Sequence, residues 1–125
     1  MATFIPPLNS SKSKMTAGEA RFAARLHTNL DDDFFCWFDI AIGPRKTRHP
    51  DFMILNADLG LLSVEVKDWK LQNIRAIDKH SASLLVNGSI RKLANPMEQS
   101  RQCTYAITQR LEQDSDLLRH AGRYR

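Results

Sequence analysis

Cysteine is scarce in this chain: two in 125 residues, Cys36 and Cys103, far apart and in no CxxC pair. That excludes a disulfide framework and a thiolate zinc knuckle, and leaves two free thiols of a reducing compartment as the simple reading. No apolar run approaches the roughly 18 to 20 residues that a membrane-spanning helix needs, so a helical integral membrane protein is excluded. A secretory signal is not expected either. MATFIPPLNSSKSKM sets a short apolar patch before its lysines and breaks it at Pro6-Pro7, the reverse of the order such a signal requires. A cytoplasmic protein is the expectation. Charge of one sign is also in short supply: 18 Lys and Arg stand against 14 Asp and Glu, a net +4. This excess permits an anionic partner such as nucleic acid without naming it. With 42% apolar and 26% charged residues, the composition is that of an ordinary domain with one core.

Residues 1–14 are rich in Pro, Ser, Asn and Lys and carry no apolar period, the composition of a flexible leader; residues 15–125 are then one domain. Thr16-Ala17-Gly18-Glu19 fits a capping box, and Phe22, Leu26 and Leu30 follow on one face, which predicts a helix ending around Asn29. After Asp31-Asp32-Asp33, FFCWFDIAI reads as a strand from Phe34 to Ile42, and Asp51 to Leu55 as a second. LLSVEVKDW alternates over a third, with Ser63, Glu65, Lys67 and Trp69 sharing a face. Ser83–Val86 and Ser89–Lys92 flank Asn87-Gly88, a strong hairpin signal. Asn95-Pro96-Met97-Glu98 then opens a helix expected to run from Pro96 to about Glu112. The order implies a mixed β-sheet flanked by α-helices.

Asp51 and Glu65 carry the chemistry if the second and third strands pair antiparallel. They stand opposite each other when an odd-length loop within Asn56–Gly60 is centred on Asp58, where Gly60 can take the positive φ such loops need. Facing carboxylates on a partly covered surface repel and lose hydration, a cost that a hard divalent cation such as Mg²⁺ or Mn²⁺ removes. Lys67 follows on the same face, where its ammonium can orient a water or meet charge on a phosphate.

His49-Pro50-Asp51, thirteen intervening residues and then Glu65-Val66-Lys67 resemble the PD-(D/E)xK signature of the restriction-endonuclease-like nucleases. Gly18-Glu19, the run from Gly60 to Trp69, and Asn95-Pro96 followed by Gln99 resemble, more narrowly, the nuclease-related domain, NERD. The resemblance implies an α/β restriction-endonuclease-like fold and metal-dependent hydrolysis of DNA phosphodiesters. It implies Asp51, Glu65 and the Val66 carbonyl as ligands of Mg²⁺ or Mn²⁺, Lys67 serving the water, and Glu19 and Gln99 supporting the site from the two helices. It further implies a place beside a helicase or kinase module, with DNA repair as a role for the helicase case, and is compatible with a homo-oligomer. The chain ends soon after the last helix, where the family adds another strand, so a C-terminally truncated core is part of the same expectation. Two positions depart from the pattern: Lys70-Leu71 replaces a glycine usual after the tryptophan, and Cys103 stands where related nucleases often carry tyrosine.

Plainer readings stand beside these. Glu19 sits where a capping-box glutamate belongs, Gln99 can be a satisfied core amide, and Glu65 with Lys67 can be an ordinary ion pair. Arg45, Lys46, Arg48 and His49 form a basic loop directly before Asp51, either simply solvated or holding a DNA phosphate. Residues 101–125 hold five arginines against three acids. The alternative function is a catalytically silent nucleic-acid-binding or interaction module on the same scaffold, attached to a helicase-like partner domain.

Overall fold

The computed structural model describes residues 1–42 and 48–117. Strand β1 (Thr3–Phe4) leads through the single helical turn α1 (Leu8–Ser11) to helix α2 (Ala17–Asn29), whose start is the capping box read from the sequence. Thr16 Oγ1 accepts from the Glu19 amide at 3.2 Å, and Glu19 Oε1 accepts from the Thr16 amide at 2.8 Å. Strands β2 (Phe34–Phe38), β3 (Phe52–Asn56) and β4 (Gly60–Val64) follow, then β5 (Ile74–Ile77), β6 (Ser81–Val86) and β7 (Ser89–Ala94). Helix α3 (Pro96–Glu112) comes after them, its Asn95 side chain accepting from the Met97 amide at 2.9 Å.

The strands divide into two sheets. The first has the order β1-β2-β3-β4, with β1 parallel to β2 and the other pairs antiparallel; the second is the antiparallel β5-β6-β7. This mixed α/β content agrees with the restriction-endonuclease-like class. Helix α2 covers one face of the first sheet with Ala23 and Leu26, which pack in one core with Cys36, Phe52 and Ile54. Phe52 is fully buried and sits at 5.1 Å from the Phe22 ring and 5.3 Å from that of Phe38. Helix α3 meets the first sheet at β4, where the Ser100 hydroxyl donates to the Ser63 carbonyl at 3.0 Å.

Four expectations are corrected. Residues 1–14 are not a loose leader: Ala2 and Phe4 are buried in the core, the Ala2 amide donates to the His27 carbonyl, and the Ile5 amide donates to the Cys36 carbonyl. Two apolar side chains that complete a core outweigh a polar, proline-rich average. The first long strand ends at Phe38 because Asp39 takes φ 54°, the left-handed region, which breaks the pleat. The third stops at Val64, so Glu65 to Lys70 lie beyond the ladder. The single sheet becomes two, because Ile74–Ile77 adds a strand to the Asn87-Gly88 hairpin. No helix of the described residues is long and apolar enough to cross a membrane.

Because Phe52 joins α2 to the sheet, Phe52→Ala should lower unfolding free energy by about 3–5 kcal/mol, read by urea denaturation.

Candidate active site

Register decides what the sheet can do. Phe52 pairs with Val64, Met53 with Ser63 and Asn56 with Gly60. Continued one step, this alignment sets Asp51 opposite Glu65, on the face that α3 approaches. The loop is Ala57-Asp58-Leu59, centred on Asp58 as the sequence reading requires, and Gly60 takes φ 102°. Asn56 holds the turn: its buried side-chain oxygen accepts from the Asp58 amide at 2.9 Å and the Leu59 amide at 3.1 Å. Asp51 itself stands between the fully buried Pro50 and Phe52, and its carbonyl accepts from the Asp39 amide at 3.0 Å. The left-handed turn at Asp39 thus steadies the backbone that carries the carboxylate.

Asp51 Oδ2 accepts from the Val66 amide at 2.8 Å, bridging the two strands just past the end of the ladder. The Asp51 and Glu65 carboxyls are close enough for the charge of one to act on the other. Burial, and then the charge of Asp51, push the Glu65 carboxyl from its ordinary 4.5 up to about 7, against a downward pull from Lys67. Two carboxylates therefore share one partly buried place, and Glu65 is the one whose proton is held up to about pH 7. The Lys67 Nζ stands 6.0 Å from the Trp69 ring centroid, and its charge also acts on Glu65.

Helix α3 contributes Gln99 and, one turn on, the buried Cys103. The Cys103 thiol is pushed up by burial and by the charge of Glu65, with a smaller upward push from Asp51, which places this helix face beside the pair. Gln99 Oε1 is buried without a hydrogen-bond partner among the described residues, as is Ser63 Oγ. Glu19, in contrast, is occupied by the capping box with Thr16, and no hydrogen bond joins it to Asp51 or Glu65. Arg48 pairs backbone to backbone with Ile42, and His49 Nδ1 stands 3.6 Å from Asp39 Oδ1. Arg45 and Lys46 lie outside the described residues. Sequence reasoning missed the steadying role of Asp39; a polar residue interrupting an otherwise apolar strand was its only trace.

These residues fit a hard divalent cation. The donors that the register brings together are oxygens, the facing carboxylates of Asp51 and Glu65. The described residues contain no cluster of three His, Cys, Asp or Glu side chains. Mg²⁺ keeps several of its waters and is satisfied by one or two carboxylates plus substrate phosphate, so a two-carboxylate site suits it and suits a soft metal poorly. A cavity of about 760 Å³ opens on the same sheet face, walled by Trp37, Met53, Leu55, Leu61 and Ile107, but its lining includes none of the candidate residues.

The family model of the nuclease-related domain, NERD, matches residues 14–122. The chain belongs to the nuclease-related domain family. No curated protein and no solved structure matches it. The match spans α2, the β3–β4 hairpin and α3; of these, the end of the hairpin carries Asp51 and Glu65, and α3 carries Gln99 and Cys103.

Glu65 makes the stability of the metal-free domain pH-dependent. A carboxyl raised from 4.5 to about 7 holds its proton more tightly folded than unfolded. Its stabilising contribution is therefore complete below 4.5 and is lost as pH rises through about 7. Glu65→Gln, which cannot ionise, should flatten this part of the decline when thermal midpoints are compared in chelator between about pH 5 and about pH 8.

Proposed function

We propose that the chain is a Mg²⁺- or Mn²⁺-dependent nuclease that hydrolyses phosphodiester bonds in DNA at Asp51, Glu65 and Lys67. The observation that carries this reading is the opposed carboxylate pair, with Glu65 raised to about 7 by burial and by Asp51. A fold gains nothing from placing two acids together in a partly buried site, whereas a divalent cation relieves both the repulsion and the lost hydration. Membership of the nuclease-related family supports the same chemistry.

Asp51, Glu65 and the Val66 carbonyl would hold the cation, which when bound supplies Lewis acidity toward the phosphate and acidifies a water. Asp51 is fixed for this by the Val66 amide on its Oδ2, leaving Oδ1 free of that contact. Lys67 holds the attacking water by its ammonium and meets the charge that builds on the phosphate oxygens. The water oxygen bonds to phosphorus as the bond to the leaving oxygen breaks, the water giving a proton to solvent and the leaving oxygen taking one from it. Gln99, with its unpartnered oxygen, is suited to fix a water beside the pair. Glu19 acts on this reading through the start of α2. Arg48 and His49, just before Asp51, provide cationic and hydrogen-bonding contacts for the DNA backbone, in keeping with the net +4.

Asp51→Asn, Glu65→Gln and Lys67→Ala should each lower Mg²⁺- or Mn²⁺-supported cleavage of duplex or single-stranded DNA by about 100-fold or more, with circular dichroism unchanged. Chelator should abolish the parent's activity. If all three variants cut at the parent's rate, the mechanism is wrong. Salt-dependent DNA binding without turnover in either metal would identify a silent binding module instead.

A further inference from the structure

Strand β4 ends at Val64, yet Glu65 and Lys67 must be aimed, so something other than a ladder holds residues 65–70. One anchor is the Val66 amide on Asp51. The second lies on the other side of Lys67. The Asp68 carboxylate rests on Gly18 in the first turn of α2, so closely that a Cβ at position 18 would run into Oδ1 and stand 2.8 Å from Cγ and 3.1 Å from Oδ2. Gly18 is buried at this point although nothing in its backbone demands glycine, since it lies within a regular helix. Its lack of a side chain makes the notch that Asp68 fills. The positive end of α2 favours an anion there, and Arg21 adds a weak, exposed ion pair with Asp68 at 3.7 Å.

We propose that Asp68 is a positioning residue, seated in the notch left by Gly18 so that the Lys67 ammonium is directed to the Asp51–Glu65 pair. The inference rests on the nuclease reading for its catalytic consequence, while the anchoring itself is a statement about the chain alone. With Val66 tied to Asp51 and Asp68 tied to α2, the single residue between them has little freedom to turn away. Gly18 thereby gains a reason of its own, separate from the neighbouring capping glutamate. Helix α2 then serves the site by its first turn, through Asp68.

Two variants test this from opposite sides. Asp68→Ala removes the carboxylate, whereas Gly18→Ala fills the notch and expels it while supplying a better helix former. Both should speed exchange of the Val66 amide, which donates to Asp51, about five-fold or more in metal-free protein. Gly18→Ala should do so without lowering the thermal midpoint. In DNA cleavage, both should lower kcat about ten-fold with KM and Mn²⁺ affinity nearly unchanged, as misplacement of one catalytic group does. On a Lys67→Ala background neither should cost anything more, because the effect acts through Lys67. Unchanged amide exchange in both variants overturns the anchoring. Losses that multiply with that of Lys67→Ala, or a fall in Mn²⁺ affinity alongside kcat, overturn the positioning role. If the parent cleaves no DNA, the nuclease reading fails by itself and amide exchange still decides whether Asp68 anchors the segment.

Discussion

Three residues, Ala57 to Leu59, turn β3 into β4, and the length of that turn sets which side chains meet at the far end of the hairpin. Asn56 enforces it by accepting from two amides of the loop and by donating from its amide nitrogen to Asp33 at 3.1 Å. A slip of one residue would move Glu65 to the opposite face of the sheet, because side chains alternate with a period of two. The facing of Asp51 and Glu65 and the raised Glu65 carboxyl both follow from this one register. The deep core at Phe52, next to Asp51, makes the register costly to disturb.

Around the hairpin, each helix gives its end or face to a different task. Helix α3 brings Gln99 and Cys103 to the side of the sheet that carries the pair, tied to β4 by the Ser100 hydroxyl. Helix α2 buries its apolar stripe on the other face and offers its first turn to Asp68. The site thus sits where the β3–β4 ladder stops, between strands held by backbone pairing and a segment held by side chains. Loss of regular pairing at Val64 frees the Val66 amide for Asp51. Irregular backbone here is the means by which an acid and a backbone donor meet.

Much of this was legible in the sequence. Helices announce themselves through local chemistry: the Thr16 and Glu19 box and the Asn95-Pro96 start both form where the residues place them. The opposition of Asp51 and Glu65 was legible as a condition, an odd loop centred on Asp58 with Gly60 free to take positive φ, and the β3–β4 register meets it. What was not legible depended on contacts distant along the chain. The burial of Ala2 and Phe4 needs β2 and α2 to be in place, and polar neighbours hide it. The short strand Ile74–Ile77 has too few residues to show a period, and its pairing with β6 carries an irregularity after Ile74. The notch at Gly18 is invisible because a glycine inside a helix has no local cause; the reason lies fifty residues on, at Asp68.

The central claim is that the Asp51–Glu65 pair exists to hold a cation. Diffraction from crystals soaked in Mn²⁺, collected where manganese scatters anomalously, measures it most directly. The account predicts an anomalous peak bounded by the carboxylates of Asp51 and Glu65 and the Val66 carbonyl, absent in Glu65→Gln crystals soaked alike. A soaked parent crystal with no peak at that place, or with its manganese bound only elsewhere, would contradict it.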